Sequence, residues 1–210
     1  MTRLHHLMVG AAARVIVALM AVMAASSAGA DEVPQHDGFL TGRLLVATER
    51  IQDPRFARSV ILMLDHDGDG ALGLMLNKVY GRGPLKDLLE GFGIDAEDAE
   101  STVRLDYGGP VEPGRGFILH SPDFDGPDTR LIFEGVAMSS GKDILRAIAA
   151  GTGPSKIRIL IGYAGWGPRQ LEGEVARDDW VVAPADAAVV FNEDLDGLWE
   201  RVMREAGVAL

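Results

Sequence analysis

The sequence has no cysteine. Disulfides, thiolate metal sites and thiol nucleophiles are therefore excluded, and the fold has to be held by packing and hydrogen bonds. Aromatic residues are scarce, with three Trp, three Tyr and seven Phe in 210 residues, so each large ring matters to the core. Positive charge is scarce as well. Lys and Arg number 20 against 31 Asp and Glu; setting aside Arg3 and Arg14 leaves 18 against 31, a formal charge of −13 after residue 30. That balance, with no basic stripe interleaved with aromatics, argues against nucleic acid as a partner and against docking on an anionic membrane. No P-loop, no G-x-G-x-x-G in a βαβ unit and no G-x-S-x-G is present, and no cofactor is expected. Internal repeats and low-complexity tracts are missing too.

What is present begins with an N-terminal targeting pattern. Arg3 opens a basic region, Val15–Ala25 (VIVALMAVMAA) is an apolar run of signal-peptide length, and Ala28-Gly29-Ala30 fits a small-x-small cleavage site. A spanning helix needs about 20 apolar residues, and Arg14 interrupts the stretch before that. Residues 1–30 therefore read as a signal peptide, residues 31–38 as a loose polar leader, and 39–210 as one domain. The expected location is periplasmic or secreted, without stable membrane insertion after cleavage. A start codon set too far upstream of a cytoplasmic protein is the alternative.

Nearly half of the residues are apolar, enough for one sizeable core. The rest of the chain is organised around Ile157–Trp180, IRILIGYAGWGPRQLEGEVARDDW. Ile157, Ile159 and Ile161 alternate as in a strand. The glycines of 162–168 predict a turn, and Pro168 suits the first turn of a helix that places Leu171 and Val175 on one face. Amides at that helix start would be free for an anion. Further strands are predicted at Arg43–Thr48, Ser59–Leu64, Ala71–Asn77, Val103–Tyr107, Gly116–His120, Arg130–Phe133 and Trp180–Ala183. Asp53-Pro54 and Asp65–Gly70 (DHDGDG) read as turns, and Ile94–Thr102 as acidic and exposed. Helices are predicted at Pro84–Phe92, at Ser140–Ala150 with Ser140 and Asp143 as a cap pair, and at Asp194–Ala206, where Leu195, Leu198, Trp199, Val202 and Met203 form one apolar stripe. Short strands broken by scattered helices point to an α+β fold.

Three blocks carry a resemblance. GYAGWGPRQLEGEV with DDWVVAPAD, Leu40–Lys78, and Tyr107–Pro122 (YGGPVEPGRGFILHSP) resemble, in order, the C-terminal, opening and middle blocks of the YqgE/AlgH family. Members usually begin near the position of Phe39, so the N-terminal extension is a departure. The resemblance implies a strongly twisted mixed sheet, partly closed into a barrel and wrapped by helices. It brings no established reaction; one member is named as a regulator of exopolysaccharide production.

Several patterns suggest chemistry, each beside a plainer reading. Asp65-x-Asp67-x-Asp69-Gly70 matches the start of a calcium loop, but Leu76 stands where the bidentate Glu belongs, so a polar hairpin turn is the simpler reading. His66 and His120 suggest a metal pair or an acid–base couple, yet His66 falls in the predicted turn and reads as solvated. His120-Ser121 suggests base and nucleophile, but adjacent strand residues face opposite ways. Gly108-Gly109-Pro110 and Gly114-Arg115-Gly116 bracket either an anion loop or a tight connection between strands. Tyr163, Trp166 and Gln170 line a pocket or plug the core.

The candidate binding set is accordingly Asn77, Gly109, Arg115, His120, Tyr163, Trp166 and Gln170, with no catalytic or metal residue assigned. The expected role is regulation, or binding of a protein or small-molecule ligand, without catalysis. The alternative is a hydrolase centred on residues 162–170 with Asn77 and His120.

Overall fold

The computed structural model describes residues 39–94 and 101–208. The expected signal peptide and leader lie outside the described residues, as do the acidic positions 95–100. Ten strands and five helices follow in chain order: β1 Arg43–Ala47, β2 Val60–Asp67, β3 Gly70–Met75, β4 Val79–Pro84, α1 Leu85–Gly91, β5 Thr102–Tyr107, β6 Val111–His120, β7 Arg130–Phe133, β8 Val136–Ser139, α2 Lys142–Ala149, β9 Ile157–Trp166, α3 Gln170–Ala176, β10 Trp180–Pro184, α4 Ala187–Val190 and α5 Leu198–Glu205. The strands form one sheet in the order β10-β1-β2-β3-β9-β6-β8-β7, with β5 on β9 and β4 outside β5. Among the described residues only the β5–β9 pair is parallel. The fold is α+β, a curled mixed sheet that approaches a barrel.

Alternation along the strands sorts the apolar side chains onto two faces. Val60, Leu62 and Leu64 of β2 point to one, with Leu74, Phe117 and Leu160, and α4 and α5 fill it with Val190, Leu198, Trp199 and Met203. Ile61 and Met63 point to the other, where α3 lays Leu171 and Val175 against Trp166 and Trp180. Farther along that face, α1 and α2 cover Ile118 and Ile159 with Leu85, Leu89, Ile144 and Leu145. Ile94, expected to be exposed, is buried in this group because the chain turns back under α1.

β9 is the hub. Leu160 pairs at once with Asp106 of β5 and Phe117 of β6, so those two strands lie on opposite edges of β9. The three-residue link Gly108–Pro110 therefore crosses β9. The crossing point is Gly162, with φ +71, where a Cβ would stand 2.3 Å from the Gly109 carbonyl oxygen. A Cβ on Gly109 would in turn meet the Tyr163 carbonyl carbon at 2.1 Å. Only two bare backbones can pass this closely. The same residue shifts the alternation by one: Leu160 and Tyr163 share a face, while Ile159 and then Ala164 and Trp166 serve the other.

Gly162 and Gly165 thus sit within a strand, not in a turn. β9 continues to Trp166, pairing its last residues with Ala71–Gly73 of β3. The turn comes later, at Pro168 and Arg169, so Pro168 precedes the helix instead of opening it; Arg169, at φ 60, is the cap residue. Other boundaries move as well. β2 runs through His66 to Asp67, so His66 is buried in a strand. Gly141, not Ser140, caps α2, and Asp143 pairs with Arg146 at 2.7 Å. α5 begins at Leu198, with Leu195 buried just before it. β4, β8 and α4 have no counterpart in the sequence reading.

Candidate functional site

The end of β9 separates two depressions. One, of about 500 Å³, is bordered by Asp65, Asp67, Asp69, Val111, Tyr163 and Trp166. The other, of about 370 Å³, lies between the 50–56 loop and α3, with Phe56, Trp166, Gln170, Glu174, Arg177 and Trp180 among its walls. The second is the more fully built.

Its floor is a pair of indoles. Trp166 is 6% exposed and Trp180 4%, and their rings meet edge to face at 5.9 Å. Phe56 packs edge-on against Trp180 at 6.3 Å. Both indole N–H groups donate to the same oxygen, Glu174 Oε2, each at 2.8 Å, and Gln170 Nε2 donates to Glu174 Oε1 at 2.8 Å. One carboxylate on α3 thereby fixes two rings from two strands. Gln170 Oε1 accepts from the Gly167 amide at 3.1 Å, and the Gln170 amide donates to the Gly167 carbonyl. The amides expected to await an anion at this helix start are partly engaged within the turn itself, and the helix has only seven residues. The rim alternates charge: Arg55 grips Asp53, Arg177 holds Asp179 at 2.9 Å, and Arg50 donates to the Arg177 carbonyl. Hydrogen bonds from the Arg55 side chain, then from its amide, hold the pKa of the Asp53 carboxyl down to about 2.

The Tyr163 side lies on the opposite face of β9. Residues 112–115 loop out where Val111 pairs with Tyr163 and Gly116 with Ile161. The Arg115 guanidinium folds back over Phe117 at 4.9 Å and Tyr163 at 5.7 Å, while Glu112 pairs with Arg115 and accepts the Tyr163 hydroxyl at 3.2 Å. Burial, then the bond to Glu112, raises the Tyr163 phenol above its ordinary range. Gly109, Arg115 and Tyr163 therefore share one patch, and Trp166 and Gln170 share the cleft.

His120 and Asn77 join neither. Asn77 Oδ1 accepts the Val60 amide at 2.9 Å and its Nδ2 donates to the Arg58 carbonyl at 2.7 Å, which ties the ends of β2 and β3 together. His120 is wholly buried at the far end of β9, opposite Ile157. His66 does not meet it: the Leu40 amide donates to His66 Nδ1 at 3.1 Å, leaving Nε2 protonated, buried and 3.7 Å from Glu172 Oε1. Among the described residues no group of three His, Asp or Glu is placed to hold a metal ion, and the acidic turn closes on itself through the Asp69 amide and Asp67.

Two charged residues that sequence reading passed over are among the most buried. Arg158 donates to Asp106 through Nε at 2.8 Å, and also to the carbonyls of Val190 and Leu76; Arg104 donates to the other Asp106 oxygen at 2.8 Å. Burial lowers the Arg158 guanidinium below its ordinary range, with Asp106 opposing. Their signal was faint: charged residues inside apolar strands, as in IRILI and VRLDY.

A family model described as AlgH-like matches residues 44–210. The chain belongs to the AlgH-like family. A UPF0301 protein of Methylococcus capsulatus is 46% identical over 179 residues, which cover 85% of this chain and 98% of that one. The solution structure of the AlgH protein from Pseudomonas aeruginosa superposes with a TM-score of 0.71 at 34% identity, over 83% of this chain and 92% of the other. A Corynebacterium diphtheriae protein at 24% identity and a TM-score of 0.64 shares the fold. In this AlgH-like chain the family block GYAGWGPRQLEGEV supplies the glycine crossing, Tyr163, and Trp166, Gln170 and Glu174 of the cleft. The 44–210 match leaves the N-terminal extension outside the shared domain.

Proposed function

We propose that this AlgH-like protein is exported and acts by binding, with the cleft between the 50–56 loop and α3 as its recognition site for a protein segment or a small molecule. The observation that carries this reading is the Trp166–Glu174–Trp180 arrangement. Two rings fixed by one carboxylate give a rigid apolar floor, and rigid floors lose little entropy when a ligand arrives. The volume of about 370 Å³ lies within the range of small-ligand pockets, and Gln170, Arg50 and Arg177 supply polar groups at the rim. Export rests on the pattern of residues 1–30. A regulatory role follows if occupancy of the cleft governs a partner. The acidic domain makes nucleic acid a poor partner. A hydrolase at this same place lacks its base, because His120 is held elsewhere.

Photo-crosslinking tests the proposal. A photoreactive residue at Gln52 or Arg177, on the cleft, is compared in living cells with one at Glu90 on α1. A discrete adduct from the cleft positions alone supports the reading. No adduct, or the same adducts from Glu90, refutes it.

A further inference from the structure

Away from the β9 cleft, the ends of β6 and β8 bring a serine and a histidine together. His120 pairs across the sheet with Ala137, and Ser139 with Ile118, so His120 and Ser139 are diagonal neighbours on one face. His120 Nε2 lies 3.0 Å from Ser139 Oγ. His120 Nδ1 lies 2.8 Å from the Ser121 carbonyl oxygen, which can only accept. In the neutral ring Nδ1 therefore carries the proton and Nε2 is a base aimed at Ser139. The remaining bonds run in the same direction. The Gly126 amide donates to Thr129 Oγ1 at 2.9 Å, the Thr129 hydroxyl to Ser139 Oγ at 2.9 Å, and the Ser139 hydroxyl to His120.

The local backbone suits a nucleophile. β8 ends at Ser139, Ser140 and Gly141 turn the chain, and α2 starts at Lys142 with no side-chain cap. A cavity of about 10 Å³ lies between Ser139, Thr129, Gly126, Phe124 and Gly141 and Ile144 at the start of that helix. It is about large enough for one oxygen-sized occupant. Ser139 is 2% exposed and His120 0%, and the Asp128 carboxylate lies against Gly141 in the same wall, so Asp128 and the side chains around it have to move before an acyl group can enter.

We infer that Ser139 is an acyl-accepting nucleophile with His120 as its general base, acting on short-chain esters at a site independent of the proposed binding cleft. In the first step Ser139 Oγ bonds to the ester carbonyl carbon and its proton passes to His120 Nε2. The bond from that carbon to the leaving alcohol oxygen breaks, and the alcohol takes the proton from Nε2. Acyl-Ser139 and a neutral His120 remain. A water molecule repeats the sequence: it gives a proton to Nε2, its oxygen bonds to the acyl carbon, the acyl–Oγ bond breaks, and Ser139 recovers the proton. The net change is ester plus water to acid plus alcohol. Thr129 is a positioning residue that orients the Ser139 lone pairs.

The test uses the purified protein with p-nitrophenyl acetate as the probe. Released p-nitrophenolate is followed, and the acetylated residue is mapped by peptide mass spectrometry. The expected adduct is on Ser139. Ser140→Ala acetylates at the native rate, Ser139→Ala gives no adduct, and His120→Gln slows acetylation by about 10²–10⁴-fold, the usual worth of a general base. Melting curves establish that each variant is folded; if Ser139→Ala does not fold, mapping on the unmodified chain decides alone. No acetyl group on Ser139, acetylation of another serine or of lysine in its place, or an unchanged rate in folded His120→Gln overturns the inference.

Discussion

Glu174 is the acceptor for two indoles, so removing its carboxylate leaves two buried N–H groups without a partner at once. An unpaired buried donor costs about 1–3 kcal/mol, and Glu174→Ala is therefore expected to lose about 2–6 kcal/mol, seen as a lower midpoint in denaturant. Trp166→Ala is expected to lose about 3–5 kcal/mol, the usual range for a buried large aromatic. The two losses should not add, because both remove the same contact; the double variant checks this. A Trp166→Ala melting curve like that of the parent would instead mean that the ring serves only a ligand. Asp123 offers a different measurement. The Ser121 hydroxyl, then Ser155, bonds to its carboxylate and holds its pKa at about 2. A depressed carboxyl pKa gives stability that is present above the ordinary carboxyl range and lost as the pH falls towards 2. Carboxyl-carbon NMR should show Asp123 titrating near 2 in the parent and higher in Ser121→Ala.

At the level of elements, β9 shows how much of the fold is legible in the sequence. Its first half is read correctly because Ile157, Ile159 and Ile161 alternate. Its second half reads as a turn because glycine has no periodicity and a turn is the commonest use of so many glycines. What those glycines do, let one backbone cross another, depends on residues 108–110, far away in sequence. Similar reasons hide the rest. β8 has four residues, too few for a period. Without β8, Ser139 has no place beside His120, and the only serine within sight of His120 in the sequence is Ser121. Trp166 packs with Leu171, Met63 and Trp180, and the one-residue shift at Gly162 is what turns it away from the face of Leu160 and Tyr163. The crossing makes a sharp prediction. Gly162→Ala adds a Cβ at positive φ and against the Gly109 carbonyl, and should cost about 2–6 kcal/mol from strain and overlap together. Gly68→Ala, where a Cβ meets nothing within 4 Å, should change the melting curve by no more than about 0.5 kcal/mol.

For the molecule as a whole, charge and targeting make their own predictions. Mobility-shift assays with duplex DNA at physiological salt should show no complex at micromolar protein, since 18 basic residues face 31 acidic ones beyond residue 30. N-terminal sequencing of protein from fractionated cells should begin at Asp31; an intact Met1 on cytoplasmic material would refute export. The topology of β9 reaches further, into the order of assembly. β5 and β6 are joined by three residues, yet stand two strand spacings apart, because the strand between them is made some forty residues later in the chain. Until residues 157–166 arrive, the middle of the sheet is a slot with an unpaired edge on either side, and such edges invite other chains. A nascent chain that stalls in α2 is therefore not a smaller folded domain but an open clamp. The last quarter of the polypeptide closes it by insertion, which makes folding a process of long loops and slow final steps, and makes the C-terminal portion the part a cell cannot lose to truncation.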